Sequence, residues 1–250
     1  MLKSRIIHIA LGLLGAAVCR SAPVDVVKTI QSLGERCRAA REYAFEAEFL
    51  IQAQKAGSPP RLLSRAKVEA AAGEGGKTYL RMEPEGKDAY VLISDGQKSW
   101  AFVPKLKQYT EEEAVATATE DDDESGSDSE RDLAEKFARL IVPTLAQIDK
   151  TAAAADIAGE AEAKFEKKRV RLPLLRVVSH SDESKARTFV QLAVDPDTLR
   201  VARMISSIVQ GDGPGRTVLQ VNADFASFRT GPVPPETFRF DPPKNVKPTC

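Results

Sequence analysis

The chain has 250 residues, with 36 Lys and Arg against 36 Asp and Glu, and 42% of its residues are hydrophobic. Those proportions support a packed core and exclude wholesale disorder, a collagen-like repeat and a disulfide-dense miniprotein. The zero net charge removes overall basicity as a sign of nucleic-acid binding, yet it is a cancellation: Glu111–Glu135 holds twelve acidic residues and one basic residue, Arg131.

The chain opens Met1-Leu2-Lys3-Ser4-Arg5, followed by a mostly apolar run from Ile6 to Val18. A basic start, a short apolar stretch and small residues after it predict a secretory signal peptide over residues 1–21. The run falls short of the roughly 20 apolar residues a membrane-spanning helix needs. An exported, periplasmic protein is expected, with cleavage after Ser21. The alternative is a membrane-anchored lipoprotein attached through Cys19, which follows Ala16-Ala17-Val18. Cys37 and Cys250 are too few for a disulfide framework; they either pair in an oxidising compartment or stay free.

Val26, Val27, Ile30, Leu33, Cys37 and Ala40 share a helical face over residues 23–41, and Pro23 stands near the start, where its missing N–H costs little. From Tyr43 to Ala53 the period becomes two, as in a strand with one buried face. Gly57-Ser58-Pro59-Pro60 turns the chain, and Arg61–Ala71 alternates again. Short strands are expected at Thr78–Met82, Ala89–Ser94 and Lys98–Val103, with Asp95-Gly96 as a hairpin turn.

A disordered acidic insertion is expected at about residues 111–130, because Glu120–Asp128 has no apolar residue. Ser129 and Asp132 then resemble a capping pair for a helix whose one side carries Leu133, Phe137, Leu140, Ile141, Leu145 and Ile148. Pro143 is expected to kink or split that helix. An Ala-rich connection leads to strands at Phe165–Leu172, Leu174–His180, Arg187–Val194, Leu199–Val209 and Thr217–Phe228. About ten strands joined by turns, with two helical segments, predict an α+β fold. It is a curved, mostly antiparallel half-barrel sheet with helices covering the concave face, forming one domain over residues 22–250.

Catalytic and metal chemistry finds little support. After signal removal His180 is the single histidine, and in Ser179-His180-Ser181-Asp182 adjacent side chains point to opposite faces of an extended chain. There is no phosphate loop, HExxH or CxxC motif. The acidic runs lack the spaced ligands of an EF-hand. Lys164, Lys167, Lys168, Arg169 and Arg171 form a basic cluster, read either as a solvated face or as a contact for anionic headgroups. No catalytic residue, metal or cofactor is expected.

Val91–Tyr109 reads VLISDGQKSWAFVPKLKQY and Phe238–Val246 reads FRFDPPKNV. The first combines a strand, the Ser94-Asp95-Gly96 hairpin, Trp100, Phe102 and Pro104; the second is an F-x-F-x-P-P element at Phe238, Phe240, Pro242 and Pro243. In this order the two resemble the outer-membrane lipoprotein carrier superfamily, the LolA/LolB-like periplasmic proteins, and the order of elements agrees from about Val24 to Val246. The resemblance implies a half-open barrel under a helical lid, enclosing an apolar cavity for lipid or lipoprotein acyl chains. Phe45, Phe49, Leu92, Trp100, Phe102, Leu192 and Met204 are the candidate lining residues. The carrier proper has an Arg-Pro pair on an early strand, where this chain has Ala70-Ala71-Ala72-Gly73.

The expected function is a binding or carrier protein that takes acyl chains through the cell envelope. Its expected partners are lipoprotein or lipid acyl chains and an envelope membrane component, with no nucleic acid and a monomeric state. The alternatives reuse the fold: an envelope-stress sensor or regulator, or an interaction protein whose acidic loop binds a basic partner.

Overall fold

The computed structural model describes residues 24–113, 130–165, 168–180, 187–211 and 213–249. The signal segment, Cys19, the run Glu120–Asp128, Ser129 and Cys250 lie outside the described residues. Helix α1 spans Val26–Ala39, opened by Asp25, whose carboxylate accepts the Lys28 N–H at 3.0 Å. Strands β1 (Tyr43–Lys55), β2 (Arg61–Gly73), β3 (Lys77–Pro84), β4 (Tyr90–Asp95), β5 (Lys98–Val103) and β6 (Gln108–Glu113) follow as a meander. Helix α2 (Glu130–Thr151) precedes β7 (Ala152–Phe165), β8 (Lys168–His180), β9 (Arg187–Val194), β10 (Val201–Gln210) and β11 (Thr217–Thr230). A short β12 (Lys247–Pro248) closes the chain.

All twelve strands join one sheet in the order β12-β6-β5-β4-β3-β2-β1-β11-β10-β9-β8-β7. Every pairing is antiparallel except that of β12 with β6. This is the expected α+β half-barrel, with both helices on its concave face.

Because paired residues share a face, the register defines cross-strand rows. One concave row runs Phe45–Ala70–Leu80–Leu92–Ala101. A second runs Phe49–Ala223–Met204–Leu192–Leu175. Ala134, Ala138, Ile141, Val142, Leu145 and Ile148 of α2 join those rows in one core, together with Ile30, Leu33 and Cys37 of α1. A buried Ile or Leu contributes about 1.5–3 kcal/mol, whereas exposed ion pairs add little. The helices are therefore seated chiefly by their apolar faces.

Four expectations are corrected. Residues 108–113 form β6, so Glu111, Glu112 and Glu113 belong to the sheet rather than to the insertion. Tyr109 and Thr110 favour a strand, and Glu111 is held by Lys98 Nζ at 2.5 Å and Trp100 Nε1 at 3.1 Å. The Ala-rich connection is the fourteen-residue strand β7. Pairing with β8 overrides alanine's helical preference. Its partner is one strand from Lys168 to His180 rather than two. Pro143 leaves α2 continuous rather than splitting it.

The hairpins alternate between two ends of the sheet. The β1–β2, β3–β4, β5–β6 and β10–β11 turns share one end, here the mouth end. The N-terminal half of α2 lies there, since Tyr90, which opens β4, donates to Glu135 at 3.4 Å. The opposite end of α2 meets α1 through Arg38 and Asp149.

Candidate functional site

A cavity of about 170 Å³ lies on the concave side between α2 and the sheet. Phe49, Val221, Ala223, Met204 and Ile208 form its floor, and Phe137, Leu140 and Ile141 of α2 its cover. The polar side chains on it are Thr144, Thr188 and Ser206, and no charged residue lines it. Such a site has hydroxyl groups to orient a ligand, but its walls suit hydrocarbon.

The seven candidate residues separate. Phe49 and Met204 line the cavity. Leu192 lies in the same row and is fully buried against its neighbours. Phe45 and Leu92 lie on the concave face in the other row, with Phe45 in an aromatic cluster with Phe225 and Phe228. Trp100 and Phe102 are corrected: they alternate with Ala101, so they face the convex side. There Trp100 stacks on Phe240 at 5.9 Å between ring centroids, beside Phe102 and Tyr109. These rings fasten the C-terminal segment over β5 and β6, and Thr249 N–H extends the attachment by donating to the Tyr109 carbonyl at 2.8 Å. Phe238, buried in the turn Pro235–Phe238, packs with Ala71 and Val233. Both phenylalanines of the F-x-F-x-P-P element thus close the convex side rather than a cavity.

Sequence reasoning did not place the cover residues among the cavity lining. Phe137 and Leu140 appeared as part of the helix's apolar side, yet Leu140 is 53% exposed at the cavity edge. That exposure shows only in the structure, so the sequence carried no signal that set Leu140 apart from its buried neighbours.

The cover is held unequally. Arg38 donates to both Asp149 oxygens, at 2.9 Å from Nη2, and to the Ala146 carbonyl at 2.7 Å. The guanidinium hydrogen bond holds the Asp149 carboxyl below the usual carboxylate range. Pro143, between this anchor and the cavity cover, has no N–H to give the helix ladder.

The convex face carries a larger groove of about 590 Å³. A charged row, Arg203–Asp224–Glu48–Lys67–Glu83, crosses it, joined by Glu46, Glu69, Arg81 and Lys164. Arg203 pairs with Asp224, and Arg81 with Glu83 at 2.7 Å. Tyr79 lies in the adjoining part of this face, where burial and then the Glu69 charge push its hydroxyl up to about 12.

Of the other sequence candidates, His180 ends β8 and Arg171 of the basic cluster pairs with Glu162 at 3.0 Å. Cys37 is buried in α1, and burial raises its thiol to about 11 against the pull of Arg36 and Arg38. Among the described residues no group of three or more His, Cys, Asp or Glu is placed to hold a metal ion. No described helix is long and apolar enough to cross a membrane.

No protein-family model matches the chain, and no curated protein matches it. Solved structures do. The complex of MucA and MucB from Pseudomonas aeruginosa is matched at 15% identity and a TM-score of 0.37, over 83% of this chain and 58% of that one. A LolA superfamily protein from Nitrosomonas europaea is matched at 10% identity and a TM-score of 0.32, over 86% and 98% of the two chains. An outer-membrane lipoprotein-sorting protein domain from Vibrio parahaemolyticus is matched at 10% identity and a TM-score of 0.28, over 85% and 95%. The chain spans about three-fifths of the MucB chain it matches. The chain is thus similar to solved structures of the LolA superfamily, the family its motifs resemble, and to MucB.

Proposed function

We propose that this protein is an exported envelope binding protein that shelters acyl chains of a lipid or lipoprotein beneath α2. The observation that carries this reading is the uncharged cavity between the Phe49–Ala223–Met204 row and the Phe137–Ile141 segment. Each methylene moved from water into such a site contributes about 0.8 kcal/mol. At about 170 Å³ the cavity is smaller than the roughly 300–1,000 Å³ of sites that enclose a drug-sized ligand. Loading therefore requires the N-terminal half of α2 to swing outward. The Arg38–Asp149 anchor keeps the C-terminal half in place, and Pro143 supplies the weak point between them.

Lipid extraction and mass spectrometry of the protein purified from its own envelope test this reading. The expected result is a bound acyl ligand. Recovery of none, together with no uptake of a fluorescent fatty acid, overturns it.

A second reading, an envelope regulator that binds a protein segment, is favoured by the charged convex groove, which has more than three times the volume of the acyl cavity. A protein partner that binds equally to cavity-filled variants, and whose binding is lost when Lys67 and Arg203 are reversed in charge, supports it.

A further inference from the structure

Four described turns meet at the mouth end, and their exposed side chains do not match the neutral composition of the chain. Lys55 and Arg61 flank the β1–β2 turn, Lys105 and Lys107 the β5–β6 turn, Lys87 the β3–β4 turn and Arg216 the β10–β11 turn. All six are exposed, and the described acidic residues of these turns are Glu85 and Asp88. Two hydrophobic side chains stand among them, Leu62 at 49% and Leu106 at 57% exposure. The turns are linked: Ala56 N–H donates to the Arg216 carbonyl at 2.9 Å, and Lys105 reaches Asp88 at 2.7 Å.

The cavity opens toward the same end. Thr188 near the start of β9, Ile208 near the end of β10 and the exposed Leu140 of α2 all line it. Cations ringed around protruding leucines are the combination that binds a lipid surface: Lys and Arg attract anionic headgroups, and apolar side chains enter the boundary beneath them. A soluble acidic partner would use the cations but leave Leu62 and Leu106 without a role.

We propose that this rim docks on an anionic bilayer surface and presents the cavity mouth to it. The inference deepens the acyl-binding reading and rests on it only for the purpose of docking; docking itself is measured separately. The acidic stretch, which carries the headgroups' own sign of charge, rejoins the described chain at Glu130 on this end, so the chain is compared with a form lacking Glu120–Asp128.

The test is co-sedimentation with vesicles of equal parts phosphatidylglycerol and phosphatidylcholine, against vesicles of phosphatidylcholine alone. Binding to the anionic vesicles only, weakened by salt and strengthened by the deletion, is expected. Each removed cation weakens partitioning by about fivefold. Lys55→Glu, Arg61→Glu, Lys107→Glu and Arg216→Glu together then cost about a hundredfold or more. Leu62→Ser with Leu106→Ser weakens binding by about tenfold or more at unchanged charge. Arg169→Glu with Arg171→Glu, at the opposite end, serves as the control and leaves binding close to that of the parent chain.

The proposal is overturned if the parent chain ignores anionic vesicles, if the leucine pair has no effect, or if the control reversal matches the rim reversal. Uptake of a soluble fluorescent fatty acid, followed in the same variants, keeps the two claims apart. Rim variants that retain uptake but lose vesicles support docking. Vesicle binding without any uptake leaves docking standing and removes the acyl-binding reading.

Discussion

Arg38 of α1 grips the Asp149 carboxylate of α2 with both terminal nitrogens, and this pair ties the C-terminal end of α2 to α1. It sits where the two helices converge, with Gly34 directly beneath: a Cβ at that position would lie 2.3 Å from Asp149 Oδ1. Gly34 is therefore required by close approach rather than by backbone conformation.

Gly34→Ala follows from that approach. In an exposed helix interior the change stabilises by up to about 1 kcal/mol. Here it displaces the carboxylate from Arg38, so a lower Tm is expected. Combining it with Asp149→Ala removes the clash, and the double variant then loses less than the sum of the two single changes. Thermal unfolding of the three variants checks the sign.

Asp149 also sets a pH dependence. Its folded pKa is depressed, chiefly by the Arg38 hydrogen bond, so the carboxylate contributes stability above its unfolded value of about 3.9. That contribution is lost as the pH falls through the depressed folded value. In acid titration of stability, Asp149→Asn removes this part of the slope, whereas a change at the unpaired surface leaves it.

Gly96 is constrained twice over. Its φ is 92°, and a Cβ there would lie 2.2 Å from the Gly75 carbonyl oxygen. The turn is otherwise well held, with the Gln97 and Lys98 N–H groups each donating to Asp95 at 2.8 Å. Gly96→Ala is expected to destabilise by about 1–3 kcal/mol from the backbone conformation, with the carbonyl clash adding to it. Denaturant titration measures the loss.

Trp100 is the single tryptophan, so its emission reports the convex-side attachment of the C-terminal segment. Phe240→Ala removes the stacked ring and is expected to shift the emission to the red. Fatty-acid uptake stays unchanged, because the cavity lies on the other face. A loss of uptake without a stability loss would place these rings back at the cavity.

Much of this was legible from period and turn chemistry. The alternation in β1 and β11 identified their buried faces, and Asp95-Gly96 identified its hairpin. In β2 the reading held for Ala66 and Val68 but not for Leu62, which a register shift beside Ile51 leaves exposed. Residues 152–165 were obscured because alanine favours helix and here is forced into a strand by a long partner. Glu111–Glu113 were hidden because their charge resembled the following stretch, while the strand depended on cross-strand pairing with β5. The division of the site has a simpler cause. A pattern of apolar residues does not say which face of a strand the helices cover, and a one-residue offset separates Ala101 from Trp100 and Phe102. Phe49 and Met204 line the cavity because both lie on long strands at the centre of the sheet, on the face that α2 covers.

The cavity claim is tested most directly at Ala223, which lies between Phe49 and Met204 and is 3% exposed. Ala223→Leu fills the space at a cost of about 1–3 kcal/mol, so its fold is first verified by circular dichroism and thermal unfolding. A fluorescent fatty acid is then titrated into the parent chain and the folded variant. Saturable uptake by the parent and its loss in Ala223→Leu are the predicted results. Equal uptake by both would place the acyl chain elsewhere and contradict the account.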